Sequence, residues 1–170
     1  SVTTGAHSSR ASRSCSHQPA AEGPWDRITS LGSSTPAVDM LILNAGIMAL
    51  PELEQVNGIE RQFVVNHLGH FLLASRLREQ VIAARQGRVV VVSSSAHIWA
   101  PAEGIRFDNL SGEAGYDPFV AYGQSKLANL LFAKELSRRF AGTRKTANAV
   151  HPGAIATNLT RSLPAIARVA

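Results

Sequence analysis

Four consecutive valines at positions 89–92 restrict the fold of this chain more than any other feature. A continuous β-branched run disfavours a helix and is typical of a strand that is buried on both faces. Strands of this kind occur almost only in parallel sheets that are covered by helices. The valine run therefore predicts a strand at residues 88–92 in an α/β protein.

Two further short segments and two amphipathic segments flank this strand. Residues 38–43 are a short apolar run that ends at a glycine-containing turn, and residues 146–150 are a short segment closed by His151-Pro152-Gly153, so both predict strands. Apolar residues recur at three- and four-residue steps over about 55–84 and 119–140, which predicts two helices. Strands that alternate with helices pair in parallel through right-handed crossovers. The expected fold is a doubly wound parallel α/β sheet.

Two segments do not fit this alternation. Nine of the first 37 residues are serine and no apolar periodicity is present, so we expect residues 1–36 to be irregular or a mispredicted stretch of the gene. Residues 97–118 contain two prolines and three glycines and predict a long irregular connection. In the second helix the apolar stripe is expected at Leu127, Leu130, Leu131 and Leu136.

Composition excludes several classes of protein. The single cysteine, Cys15, cannot form an internal disulfide or a cysteine metal site, so we expect no metal and a reducing, cytoplasmic location. No apolar stretch approaches the roughly 20 residues that span a bilayer. Although the net charge is +5, a surplus of +4 lies between residues 134 and 145. A solvated helix end explains this cluster, so we expect no nucleic-acid partner.

Polar or glycine-containing groups follow each of the three predicted strands. Ligands of open α/β sheets bind outside the carboxyl ends of the strands. The groups are expected to line one cleft, and they are Asn44, Ala45 and Gly46, then Ser93, Ser94 and Ser95, and finally Pro152 and Gly153.

Tyr122 and Lys126 lie four residues apart near the start of the second helix, so their side chains share one face. An ammonium near a phenol favours the phenolate, and we expect it to lower the pKa of Tyr122 from its usual value of about 10. A tyrosine of this kind could exchange a proton with an alcohol or carbonyl oxygen. Taken alone, however, such a pair also occurs by chance in many helices.

Five short segments in a fixed order change this assessment. They are LNAG at 43–46, VNHLGHF at 65–71, VVSS at 91–94, YGQSK at 122–126 and HPGAIAT at 151–157. Together they resemble the short-chain dehydrogenases/reductases. The Ala96-His97 pair and SKLAN at 125–129 are similar to the retinol-dehydrogenase-like branch. The resemblance implies that residues 37–170 are the catalytic part of an NAD(P)-binding Rossmann-fold domain, with the family's strands 4, 5 and 6.

The resemblance also implies roles for four catalytic residues. Tyr122 would be the general acid/base, and Lys126 would lower its pKa and hold the nicotinamide ribose. Ser94 would hydrogen-bond the substrate oxygen, or it is a plain strand-end turn residue. Asn66 would hold a water molecule in the proton relay, or it is an amide that is bonded within its own helix.

The same resemblance implies a cofactor, NAD or NADP, and a small alcohol or carbonyl substrate. Asn44, Ala45 and Gly46 would lie beside the cofactor, although Leu43 stands where a second asparagine is usual. The nicotinamide would be lined by Pro152, Gly153 and Thr157, and His151 is expected to pack rather than to bind. Relatives form dimers and tetramers through the two long helices, so a homo-oligomer is expected.

Two departures from the family pattern leave alternatives open. Thr4-Gly5-Ala6-His7-Ser8 begins like the glycine-rich cofactor loop, but the later glycines are missing, and the chain ends before the last family elements. The chain is therefore expected to be a truncated member. A remnant that binds no dinucleotide and serves at most for interactions is one alternative. A serine hydrolase that uses Ser94 or Ser125 with His151 is another.

Overall fold

A computed structural model of the protein describes residues 34–153, and every structural statement below refers to this range. In chain order its elements are β1 (Met40–Leu43), β2 (Gln55–Val56), β3 (Ile59–Glu60), α1 (Arg61–Phe63), a π-helical turn (Val64–Leu68), α2 (Gly69–Arg76), α3 (Arg78–Ala83), β4 (Arg88–Val92), two 3₁₀ helices (Ser95–Trp99 and Phe107–Asn109), α4 (Pro118–Arg139) and β5 (Thr146–Val150). Cys15, Thr157 and the glycine-containing segment at 4–8 lie outside the described residues.

The main sheet has three parallel strands in the order β1-β4-β5. The valine strand is central, with Val89 paired to Leu41 on one side and to Ala147 on the other. Its inward residues, Val89 and Val91, are buried because the helices pack on that face. The predicted parallel α/β sheet is confirmed, but the predicted burial of both faces is wrong for the described residues, because Met40 and Ile42 on the other face are 52% and 55% exposed. The strands β4 and β5 have the predicted bounds, whereas β1 begins two residues later than predicted.

The first predicted helix begins later than its periodicity suggested. Residues 55–60 form a small antiparallel hairpin, β2 and β3, instead of the start of a helix. Its turn uses Asn57 and Gly58 with φ values of 52° and 76°, the left-handed conformations that an Asn-Gly turn adopts. Glu60 then caps the helix, because its carboxylate accepts hydrogen bonds from the backbone nitrogens of Gln62 and Phe63. The predicted helix at 55–60 is therefore wrong.

Helix α4 has strong local signals at its start. Pro118 occupies its first turn, and the Asp117 carboxylate accepts hydrogen bonds from the backbone nitrogens of Phe119 and Val120. The helix lies against the 3₁₀ helix Ser95–Trp99 at Gly123, where a Cβ atom would lie 2.7 Å from the Ala96 carbonyl oxygen. Apart from two short 3₁₀ helices, the long connection before it is irregular, as predicted.

The apolar core lies between the sheet and the helices α2, α3 and α4. Its buried members are Leu41, Leu43, Ala74, Leu77, Val81, Val89, Val91, Ala133 and Ala147. The predicted apolar stripe of α4 is only partly buried, and Leu131 is 47% exposed. The core holds the second half of α4 against the sheet through Ala133.

Residues 34–153 contain neither a candidate membrane-spanning helix nor a candidate metal-binding cluster. No helix in this part of the chain is long and apolar enough to cross a membrane. The same residues hold no group of three or more histidine, cysteine, aspartate or glutamate side chains that could bind a metal ion.

Candidate active site

Helix α4 presents a buried polar face toward the end of the central strand. Residues on this face follow helical spacing, and each is at most 3% exposed: Tyr122, Ser125, Lys126 and Asn129. Buried polar groups of this kind need hydrogen-bond partners. The partners come from the end of β4 and from the π-helical turn, so three elements meet at this face.

Ser94 reaches Tyr122 from the end of β4. Its side chain forms a hydrogen bond with the Tyr122 hydroxyl, and its hydroxyl oxygen also accepts from the backbone nitrogen of Ala96 at 3.2 Å. The ring of His97 lies 2.8 Å from the Ser94 carbonyl oxygen. Ser94 therefore lies beside the Tyr122 hydroxyl, and its hydrogen bond to a substrate oxygen stays a prediction.

Lys126 is held by the strand rather than by the phenol. Its ammonium donates to the carbonyl oxygen of Val92 at 3.1 Å and lies 5.6 Å from the centre of the Tyr122 ring. Burial lowers the pKa of Lys126 to about 8, because the charged form loses its solvation.

The predicted lowering of the Tyr122 pKa is wrong for this structure. Burial raises the pKa of Tyr122, and the hydrogen bond from Ser94 opposes this only in part. Since Lys126 points to Val92, the phenolate gains too little from the ammonium to overcome its own desolvation. The phenol is therefore protonated at neutral pH.

Asn66 connects this face to the loop after β1. It is fully buried in the π-helical turn, and its amide oxygen accepts from the backbone nitrogen of Ile47 at 2.8 Å. Its amide nitrogen donates to the Ile47 carbonyl oxygen and to the Ser125 hydroxyl, both at 2.9 Å. The interpretation as a locally bonded amide is therefore wrong. Both amide hydrogens have protein partners, so the predicted water would have to use another atom of this residue.

The segment after β1 lies against the same cluster. Asn44 and Ala45 are exposed at the strand end, and a Cβ atom on Gly46 would lie 3.4 Å from the Asn66 amide oxygen and 3.7 Å from the Lys126 ammonium. The backbone of Gly46 therefore lies directly beside both the Asn66 amide and the buried ammonium. An open backbone edge beside a cation fits the ribose and nicotinamide end of a dinucleotide.

The predicted residues after β5 are described only in part. Pro152 and Gly153 are exposed, and Thr157 lies outside the described residues. The end of β5 contacts the serine segment, because Ser93 donates from its backbone nitrogen to the Val150 carbonyl oxygen at 2.9 Å. His151 is exposed rather than packed, and its ring accepts from the backbone nitrogen of Ser95 at 3.3 Å.

The hydrolase alternative does not fit the surroundings of Ser125. A nucleophilic serine sits on an exposed turn between a strand and a helix. Ser125 is fully buried inside α4, and its hydroxyl donates to the Tyr122 carbonyl oxygen at 2.7 Å while it accepts from Asn66. Ser94 contacts Tyr122, whereas the ring of His151 is bonded to the neighbouring Ser95.

Sequence reasoning missed the contacts that three buried side chains make in this site. Ser93 donates from its hydroxyl to the Lys126 carbonyl oxygen at 2.8 Å, Ser125 joins Asn66 to α4, and Asn129 reaches two elements. The spacing of Tyr122, Ser125 and Asn129 at intervals of three and four residues was a usable signal, because it places them on one helix face.

Comparison with known proteins gives consistent results. The family described as short chain dehydrogenase matches residues 27–166. Retinol dehydrogenase 14 of Homo sapiens is 45% identical over 128 residues, which are 75% of this chain and 37% of that protein. Retinol dehydrogenase 12 of Mus musculus is 48% identical over 123 residues, which are 72% of this chain and 38% of that protein.

Solved structures share the fold. The crystal structure of a 3-alpha-hydroxysteroid dehydrogenase from Pseudomonas sp. B-0831 complexed with NADH matches with a TM-score of 0.66 and 24% identity, over 81% of this chain and 57% of that one.

The chain spans less than two fifths of the length of the two retinol dehydrogenases.

Proposed function

The chain belongs to the short-chain dehydrogenase family, and from this premise we propose that it is the catalytic part of an NAD(P)-dependent oxidoreductase that interconverts an alcohol and a carbonyl. The observation that supports the proposal most is the contact between Ser94 and the buried Tyr122 hydroxyl, with the Lys126 ammonium on the same face. Three groups that can bind and protonate a substrate oxygen thus meet at the carboxyl end of the central strand.

Tyr122 is the proposed general acid/base. In carbonyl reduction its hydroxyl gives a proton to the substrate oxygen while a hydride reaches the carbon, so that one C–H and one O–H bond form. In alcohol oxidation both transfers run in reverse. Since burial raises the pKa of Tyr122, the resting site holds the proton that reduction needs. Ser94 donates a second hydrogen bond and orients the substrate oxygen.

The proposed cofactor is NAD or NADP. When bound, the nicotinamide supplies or accepts the hydride. Lys126 would hold its ribose, and the strand-end residues Asn44, Ala45 and Gly46 would lie along it. Pro152, Gly153 and Thr157 keep their proposed place beside the nicotinamide. The NADH complex of the structural relative and the open edge at Gly46 support this assignment.

Two names among the relatives suggest the first substrates to test. Both curated relatives are retinol dehydrogenases, so a retinol and the matching aldehyde are the proposed pair. A cytoplasmic location and the absence of nucleic-acid partners remain predictions.

Tyr122→Phe is the direct test, because it removes only the hydroxyl. General acid/base groups contribute about 10²- to 10⁴-fold, so we expect kcat to fall at least 100-fold while dinucleotide affinity stays near that of the parent chain. The chain has one other tyrosine, Tyr116, whose hydroxyl donates to the Leu50 carbonyl oxygen at 2.7 Å. Tyr116→Phe is the matched control and should keep its turnover.

Two results would count against the proposal. If Tyr122→Phe kept full turnover, the general acid/base would be another group. If a folded sample of the parent chain bound neither NADH nor NADPH in a fluorescence titration, the alternative of a remnant without dinucleotide binding would replace the enzyme.

A further inference from the structure

Asn129 has no part in the function proposed above, yet it has more partners than any other side chain on its helix face. It is fully buried in α4, one turn after Lys126. Its amide nitrogen donates to the carbonyl oxygens of Asn66 at 2.9 Å and Val92 at 3.2 Å. Its amide oxygen lies 3.1 Å from Nδ1 of His67. One side chain therefore joins α4, the π-helical turn and the central strand.

The partners of Asn129 fix the orientation of its amide. Both carbonyl oxygens can only accept, so both amide hydrogens are used and the oxygen must face His67. His67 must then donate from Nδ1, which assigns the Nδ1–H tautomer. Burial lowers the pKa of His67, so the ring stays neutral and keeps this tautomer at pH 7.

Val92 connects this network to Lys126. Its carbonyl oxygen accepts from the Lys126 ammonium at 3.1 Å and from the Asn129 amide at 3.2 Å, so two donors share one acceptor. A buried carbonyl without a donor is costly. If Lys126 turned toward another acceptor, Asn129 would still satisfy Val92. Without Asn129, the ammonium would be the carbonyl's remaining donor in this network and would be held more tightly.

We propose that Asn129 is a positioning residue that satisfies the Val92 carbonyl and thereby leaves the Lys126 ammonium free to exchange partners, with His67 holding the Asn129 amide in the required orientation. The exchange toward the ribose of a dinucleotide rests on the proposed function. The hydrogen bonds among these four residues do not depend on it.

The first experiment uses the complete chain without any cofactor. Nitrogen NMR of the histidine rings should show His67 protonated at Nδ1, and the Nε2–H tautomer would overturn the proposal. The Lys126 pKa is then compared between His67→Leu and His67→Asn. Leucine removes the donor, whereas the asparagine amide can replace Nδ1–H. The Lys126 pKa should therefore rise above about 8 in His67→Leu and stay near 8 in His67→Asn. Equal values in both variants would also overturn the proposal.

The second experiment measures dinucleotide binding. We expect His67→Leu to weaken NADH or NADPH binding about fivefold, the value of one hydrogen bond, and His67→Asn to restore it. Asn129→Ala should show a larger loss, about tenfold. In a Lys126→Ala background neither change should have any further effect on Kd, because both act through the ammonium. Additive losses would indicate a merely structural role and would refute the proposal.

The two experiments separate the proposals. If the parent chain binds no dinucleotide, the proposed function fails, and the cofactor-free NMR still decides the role of Asn129. If Asn129→Ala does not fold, the two His67 variants give the answer, because His67→Leu removes only the hydrogen bond that orients the Asn129 amide.

Discussion

Replacing Lys126 with methionine should stabilise the fold while it removes activity. Lys126 is 3% exposed, and burial lowers its pKa to about 8 from its usual 10.5. Between pH 8 and pH 10.5 the unfolded chain therefore binds one more proton than the folded chain does. The free energy of unfolding rises with pH where the unfolded state binds more protons. The penalty of the buried ammonium is thus fully present below pH 8 and disappears toward pH 10.5.

The structure sets the size of this effect. At about 1.4 kcal/mol per pH unit, the interval from 8 to 10.5 corresponds to about 3 kcal/mol. Methionine keeps most of the aliphatic volume but loses the hydrogen bond to Val92, which is worth about 1 kcal/mol. The Val92 carbonyl still accepts from Asn129, so it is not left without a donor. The expected net gain is about 2 kcal/mol at pH 7.

Urea denaturation at a series of pH values measures this gain. At pH 7 Lys126→Met should be the more stable of the two chains. As the pH rises from 8 to 10, the stability of the parent chain should approach that of Lys126→Met, until the difference between them is small. Lys134→Met is the control, since Lys134 is exposed on the same helix and should change stability by less than about 0.5 kcal/mol. A Lys126→Met chain that is less stable than the parent at pH 7, with a difference that does not depend on pH, would refute the reasoning.

Two further predictions concern packing and assembly. A Cβ atom on Gly87 would lie 2.2 Å from the Val81 carbonyl oxygen, so Gly87→Ala should lower the free energy of unfolding by about 2 kcal/mol in urea denaturation. A Cβ atom on Gly69 has its nearest contact at 3.5 Å, so Gly69→Ala should leave the free energy of unfolding unchanged. Equal stability of the two variants would contradict this prediction. Phe71 is 47% exposed on α2, and if the long helices pair in a homo-oligomer, Phe71→Asp should give monomers in sedimentation equilibrium. Phe107→Asp, at a 77% exposed position elsewhere, should leave the mass unchanged, and a monomeric parent chain would end the homo-oligomer prediction.

The strands were predictable because their signal is local. A run of β-branched residues excludes most other structures, so the strand at residues 88–92 is predicted with its observed bounds. The strand at 146–150 is predicted with its observed bounds from its place before the turn at residues 151–153. The start of the first helix was not predictable in the same way, because the apolar spacing near Val56 and Ile59 fits a helix as well as a hairpin. The Asn57-Gly58 pair was the local signal for the turn, and it decides between the two.

The site was predictable as a set of residues but not as a set of contacts. Helical spacing placed Tyr122 and Lys126 together, and the structure agrees. Whether the ammonium lowers the pKa of the phenol depends on what else it can bind. The competing acceptor, the Val92 carbonyl, is 34 residues away in sequence and is brought to Lys126 only by the tertiary fold.

Helix α4 explains both the success and the failure of the sequence pattern. The usual interpretation buries the leucines of an amphipathic helix and exposes its polar residues. Here the first half of α4 buries a polar face, from Tyr122 to Asn129, against strand-end carbonyl oxygens that need donors, and Leu131 is left 47% exposed. The second half buries Ala133 against the sheet in the ordinary way. A helix can bury a polar face only where another element supplies matching partners, so such a face marks a site that the rest of the fold stabilises.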